Sequence, residues 1–242
     1  MSTDTRHLMV AGLNVEVVRK DIRNLHLGVY PPHGRVRVAA PLAVGDEAVR
    51  MAVIGKLGWI RRQRARFEAQ SRQSKRNVVS GESHYYLGRR YRLSVVEHNA
   101  PTRLEMRGNS RMTLFLRTGT TPGQRERWLT DWYRGKLKAL IPPLLKKWQA
   151  RLGVEATAWG VKKMKTKWGG CNPVARRLWF NLELAKKPGP CLEYIVVHEL
   201  AHLLAPRHDE HFIDLMDRHL PQWQAARQLL NAMPLAHEEW DH

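Results

Sequence analysis

The sequence is short of cysteine, of acidic residues and of long apolar runs, and each shortage narrows what the protein can be. Two cysteines, Cys171 and Cys191, in 242 residues cannot build a disulfide framework and fit a reducing compartment. No stretch approaches the roughly 20 apolar residues of a membrane-spanning helix. The opening Met-Ser-Thr-Asp-Thr-Arg-His lacks the apolar segment of a secretion signal. A cytoplasmic chain that does not enter a membrane is the expectation. Only 22 Asp and Glu stand against 41 Lys and Arg, a balance of +19 that attracts polyanions such as nucleic acid or nucleotides. Net charge does not by itself locate a patch, and a solvated basic surface accounts for it equally well.

What is present reads as globular. Hydrophobic residues make up 43% and there are nine tryptophans, enough for a buried core in one domain or two small ones. Alternating apolar residues at Val15, Val17, Leu25, Leu27, Val29, Val36 and Val38 predict strands from 15 to 41, broken by Pro31-Pro32-His33-Gly34. The period then becomes helical from Asp46 to about Gln70, with arginines between Val49, Val53, Leu57, Ile60 and Phe67. This predicts one basic helix. Residues 71–83 are polar and without period, which suits a linker.

Strands return at 85–87, 91–96, 103–106 and 112–117, around turn residues such as Gly88 and Gly108-Asn109. The segment from Gln124 to about Leu152 is helical, with Pro142-Pro143 expected to kink or split it. Two strands, 156–163 and 177–184, flank a loop at 167–173, and the chain is helical from Pro190. The class is α+β, divided into a β-rich N-terminal region with a basic helix, 1–120, and a C-terminal domain, 121–242. No internal repeat is evident.

The chemistry concentrates in His198-Glu199-Leu200-Ala201-His202, an H-E-x-x-H. Residues four apart share one helical face, so His198 and His202 can offer two imidazole nitrogens to one Zn²⁺. Glu199 borders that face and can take a proton from the metal-activated water as general base. Pro188-Gly189-Pro190 starts the helix and Pro206 is expected to end it, so a third ligand can come from the chain beyond. His208, His211, His219 and His237 compete for that place. His208 lies six residues after His202, the spacing of the longer H-E-x-x-H-x-x-G-x-x-H pattern, with Ala205 in place of its glycine.

These residues carry a resemblance. Trp168-Gly169-Gly170-Cys171-Asn172, Leu178, Asn181, the run Leu192 to Leu203, His208 and Phe212 resemble the YgjP-like metallopeptidase family, relatives of the SprT-like zincins. The motif region covers about 161–223, and the β-rich half with Trp59-Ile60 is similar too. The resemblance implies a zincin-like core in the C-terminal domain, an active-site helix beside a small sheet, and supports His208 as third ligand. The family commonly has Trp-Gly-Ser-Cys, so Gly170 departs from it.

Trp168, Cys171, Asn181 and His211 are candidate substrate contacts. Cys171 reads first as a small buried hydrophobe and only secondarily as a thiolate ligand. Trp128, Trp132, Trp148, Trp159 and Trp179 read as packing residues. Three functions remain open at this point. One is a zinc metallopeptidase acting on peptide or protein. A second is a metal-dependent phosphohydrolase of nucleotides or nucleic acid, favoured by Lys162, Lys163, Lys165, Lys167, Arg176, Arg177, Lys186, Lys187 and Arg207. The third is a nucleic-acid-binding module with structural zinc, for which Glu199 has no evident use.

Overall fold

The computed structural model describes residues 5–30, 34–69, 77–164 and 167–232. The expected turn at 31–33, most of the expected linker (71–76), Lys165 and His237 lie outside the described residues. The protein is mixed, with a β-rich N-terminal part and a helical C-terminal region, and forms two compact units, Met1–Gln73 and Ser74–Met233. Among the described residues no helix is long and apolar enough to cross a membrane.

In the first unit, strands β1 (Thr5–Val10), β2 (Leu13–Lys20), β3 (His26–Tyr30) and β4 (Arg35–Pro41) form a sheet in the order β1-β2-β4-β3. One face alternates inward through Val15, Val17, Val36, Val38 and Ala40. It shares a core with Val49, Val53 and Ile60 from two helices, α1 (Asp46–Ile54) and α2 (Leu57–Ala69). The single helix expected over 46–70 is therefore interrupted. Gly55 caps α1, its N–H reaching the Met51 and Val53 carbonyls, because glycine's low helix propensity makes it a natural stop.

The second unit opens with β5 (Ser83–Tyr86), β6 (Arg89–Glu97), β7 (Arg103–Arg107) and β8 (Arg111–Leu116), in the order β5-β6-β8-β7. Both four-stranded sheets pair antiparallel, parallel, antiparallel across that order. Both first hairpins turn through two residues at positive φ, Ala11-Gly12 and Leu87-Gly88. The shared topology is not evident in the sequence because what the two segments have in common is alternation, while side-chain identity differs. The strands between 83 and 116, assigned from sequence to the N-terminal region, contribute Tyr91, Leu93, Met112, Leu114 and Leu116 to the core that also surrounds the H-E-x-x-H helix. Alternation fixes which face of a strand is buried and not against which element.

Helix α3 (Pro122–Leu152) runs unbroken for 31 residues, closed by a Thr121–Gln124 capping box and by Gly153 at φ 65. It passes through Pro142 and Pro143 without splitting. The hydrogen bonds those prolines cannot donate are offset by burial of Leu137, Ile141, Leu145 and Trp148 along one side.

A three-stranded sheet follows, β9 (Ala158–Lys162), β10 (Gly169–Asn172) and β11 (Arg177–Asn181), in the order β10-β11-β9. Where the sequence reads as a loop at 167–173 there is thus an edge strand. A 3-10 turn, Leu182–Lys186, leads into α4 (Gly189–Ala201), α5 (Glu210–His219) and α6 (Trp223–Ala232). Nine of the thirteen residues of α4 are buried, Glu199 among them, so it is the central helix of the unit. Glu193 fastens it to α3, accepting from Lys147 Nζ at 2.6 Å and Trp148 Nε1 at 2.9 Å. Of the tryptophans, Trp148 is fully inside and Trp128, Trp132, Trp159 and Trp168 pack against the core. Trp179 differs. It lies across Gly160, where an added Cβ would stand 2.4 Å from its ring, with Lys162 Nζ 4.0 Å from the ring centre.

Candidate metal centre and active site

His198 and His202 come from the last turn of α4 and its cap. The helix ends at Ala201, five residues before Pro206, earlier than the sequence suggests. The residue before a proline avoids the helical region, and the chain instead turns through hydrogen bonds from Leu203, Leu204 and Ala205 to Leu200 and Ala201. Ala205 is buried and is not among the residues at positive φ. A glycine is therefore not required where the longer pattern has one. Asp209 caps α5, accepting from the Phe212 N–H at 3.1 Å, and this fixes the approach of the neighbouring His208.

The three histidines converge. One ligand atom from each of His198, His202 and His208 can be chosen so that all lie within 4.8 Å of one another, and His208 Nε2 stands 3.1 Å from His198 Nε2. His202 Nδ1 lies 3.1 Å from the Ala205 carbonyl. A carbonyl only accepts, so Nδ1 carries the proton and Nε2 keeps its lone pair for a ligand role. The buried Phe212 ring floors the cluster, with centroids 5.0, 4.8 and 4.7 Å from the rings of His198, His202 and His208. Burial holds His198 down to about 3, helped by the charges of His202, His208 and Arg227, and lowers His202 as well. His198 and His202 thus resist protons while presenting lone pairs.

The donor set fits zinc. Tetrahedral bonds of about 2.0–2.1 Å place ligands about 3.3 Å apart, close to the His198–His208 separation. Among the described residues no group pairs with the buried His198 Nδ1 atom, the position from which a second hydrogen bond commonly orients a ligand imidazole.

Glu199 is 4% exposed and lies under β10. A Cβ placed on Gly169 would stand 2.4 Å from its Oε1. Burial pushes its carboxyl up to about 8, with Lys167 pulling the other way. A carboxylate with raised basicity, on the helix that carries two of the histidines, has the properties of a proton acceptor.

The remaining candidates have definite places. Asn181 is buried and joins separate stretches of chain. Its Nδ2 donates to the Met164 and Lys167 carbonyls at 2.8 and 2.7 Å, and its Oδ1 accepts from Glu183 N at 3.2 Å. Cys171 is half-buried on β10 with its thiol pushed up to about 11, mainly by burial, and it lies outside the histidine cluster. Trp168 carries Lys187 Nζ 5.3 Å from its ring centre. His211, exposed on α5, is not among the clustered histidines. Sequence reasoning gave no role to Phe212, Gly169, Tyr194 or Arg227. The advance signal was the presence of Gly169, Tyr194 and Phe212 in the motifs that carry the family resemblance; Arg227 had none.

The fold and the cluster together define a mixed α/β protein with a three-histidine site on an H-E-x-x-H helix. A family model described as "YgjP-like, metallopeptidase domain" matches residues 24–233, and the chain belongs to that family. No curated protein matches the chain. Among solved structures, that of the metallopeptidase zymogen abylysin of Pyrococcus abyssi is similar at 20% identity and a TM-score of 0.34, over 37% of this chain and 87% of that one.

Proposed function

We propose that the chain is a zinc-dependent metallopeptidase with Glu199 as general base. The observation that carries this reading is the placement of Glu199, buried on the same helix as His198 and directly beneath an edge strand at Gly169. His198, His202 and His208 would hold the ion. Zinc bound there supplies a Lewis acid that polarises a carbonyl and makes water easier to deprotonate. Glu199 accepts the proton of the attacking water and returns it to the departing amine, a task suited to a carboxyl held near neutrality. Among the described residues strand β10 is the edge of its sheet, and its outer side can take an extended peptide as a further strand beside Glu199. Asn181 holds the approach to that strand through the Lys167 carbonyl.

The test is hydrolysis of casein and of short fluorogenic peptides by zinc-loaded protein, beside Glu199→Gln. The substitution keeps size and removes basicity, so zinc content should persist while the rate falls by about 10²–10⁴. Undiminished hydrolysis by the variant would place the base elsewhere.

A further inference from the structure

Two cations stand beside the histidine cluster, and among the described residues neither forms an ion pair with a carboxylate. Lys167 precedes Trp168 and Gly169, and Gly169 abuts the Glu199 carboxylate. Its backbone is fixed by the 2.7 Å bond from buried Asn181, while its side chain is exposed. Arg227, on α6, is exposed too, with Cζ 5.9 Å from the centre of the Trp223 ring. Trp223 stacks on Tyr194 at 6.2 Å, and Tyr194 stands edge-on to His198 at 5.7 Å. Trp223 is itself anchored through Nε1 to Asp217 at 2.6 Å, so the surface carrying Arg227 is firmly held.

The two charges act at different points. That of Lys167 is felt at Glu199 and His202, and that of Arg227 at His198 and Tyr194. Three acidic residues of this region have other places, Asp217 accepting from Trp223 Nε1. Glu199 is buried, and Asp209 caps α5. Positive charge next to a cluster suited to a dication opposes loading of the ion, so these cations become favourable only when an anion joins them. Guanidinium geometry suits two oxygens of one carboxylate or phosphate.

We infer that Lys167 and Arg227 are specificity-determining residues that bind an anionic group of the substrate, carboxylate or phosphate oxygens, next to the bond under attack. The inference rests on the hydrolase reading for its location beside a scissile bond, and on the two cations alone for anion binding. An acidic peptide residue and the phosphates of a nucleotide are the two sources of that chemistry.

The test has a kinetic and a binding half. Zinc-loaded protein is given fluorogenic peptides matched as Glu and Gln pairs around the scissile bond, and separately a nucleoside triphosphate. A kcat/KM preference for the Glu peptides identifies carboxylate, and turnover of the triphosphate identifies phosphate. Charged hydrogen bonds predict a preference of about tenfold or more. Arg227→Gln and Lys167→Gln should each reduce the ratio of the rate on Glu peptides to that on Gln peptides, compared within each variant at equal zinc content, and keep the fold, with Arg227→Lys intermediate. In the binding half, inorganic phosphate is titrated into zinc-free protein by calorimetry, and the double variant should bind about tenfold more weakly or worse. Phosphate binding that is lost in the variants while nothing is hydrolysed would overturn the peptidase reading and leave this inference standing. Wild-type protein with neither anionic preference nor phosphate affinity, or variants that change neither, would overturn the inference itself.

Discussion

Gly169 and Glu199 are packed so closely that the strand residue has no room for a side chain: a Cβ would lie 2.4 Å from Oε1, 2.7 Å from Cγ and 2.8 Å from Cδ of the glutamate. The neighbouring Gly170 is the opposite case, with nothing within 4 Å of its Cβ position. Gly169→Ala should therefore displace the Glu199 side chain and lower peptide hydrolysis by an order of magnitude or more, with zinc content retained. Gly170→Ser, which supplies the residue more usual in the resembling motif, should leave both unchanged. Equal rates for the two variants would show that the contact does not position the base.

Zinc content should depend unequally on the three histidines. His198→Ala or His202→Ala removes a ligand held by the buried helix α4 and should abolish stoichiometric zinc. His208→Ala removes the exposed member of the proposed ligand set and should weaken retention without abolishing it, because a structured pair remains. Metal analysis after dialysis against a chelator series checks this. Full retention in all three variants would remove the site.

Stability of the zinc-free protein should depend on pH in two windows. The Glu199 carboxyl, raised to about 8 from 4.5, gives the folded chain the extra proton between those values. Its contribution is complete below 4.5 and is lost as pH rises through 8. His198, lowered to about 3 from 6.5, gives the unfolded chain the extra proton, so stability falls as pH drops from 6.5 toward 3. Glu199→Gln should cancel the alkaline loss only. Its melting temperature should exceed that of the zinc-free wild type by an amount growing from pH 5 to 8.5, at about 2–4 °C per kcal/mol. Parallel pH profiles would contradict the burial of a titrating carboxyl.

Asn181→Ala should destabilise the protein by about 2–4 kcal/mol, because it removes the partner of the part-buried Met164 and Lys167 carbonyls and of the buried Glu183 N–H. Asn181→Asp keeps the acceptor and loses both donors, and should recover only part of that cost. Denaturant unfolding measures both, and a loss under about 0.5 kcal/mol for the alanine variant would mean the joint is not structural.

Much of this was legible from local pattern. Helical spacing put His198 and His202 on one face, the six-residue interval favoured His208 among four histidines, and alternation located the strands of both four-stranded sheets within a few residues except β1 (Thr5–Val10), which precedes the segment read as strands. These are properties of short segments, set by backbone period and side-chain polarity. What the chain did not disclose depends on approaches between distant segments. Gly169 could not be seen lying over Glu199, Asn181 bridging 164 and 167 to 183, or Arg227 sharing a ring stack with Tyr194, since no local rule relates those positions. The unbroken passage of α3 through Pro142-Pro143, the edge strand at 169–172 and the shared topology of the two sheets were decided the same way. In each, tertiary burial outweighs a local preference worth a few kcal/mol, and only the packed structure shows which surface provides it.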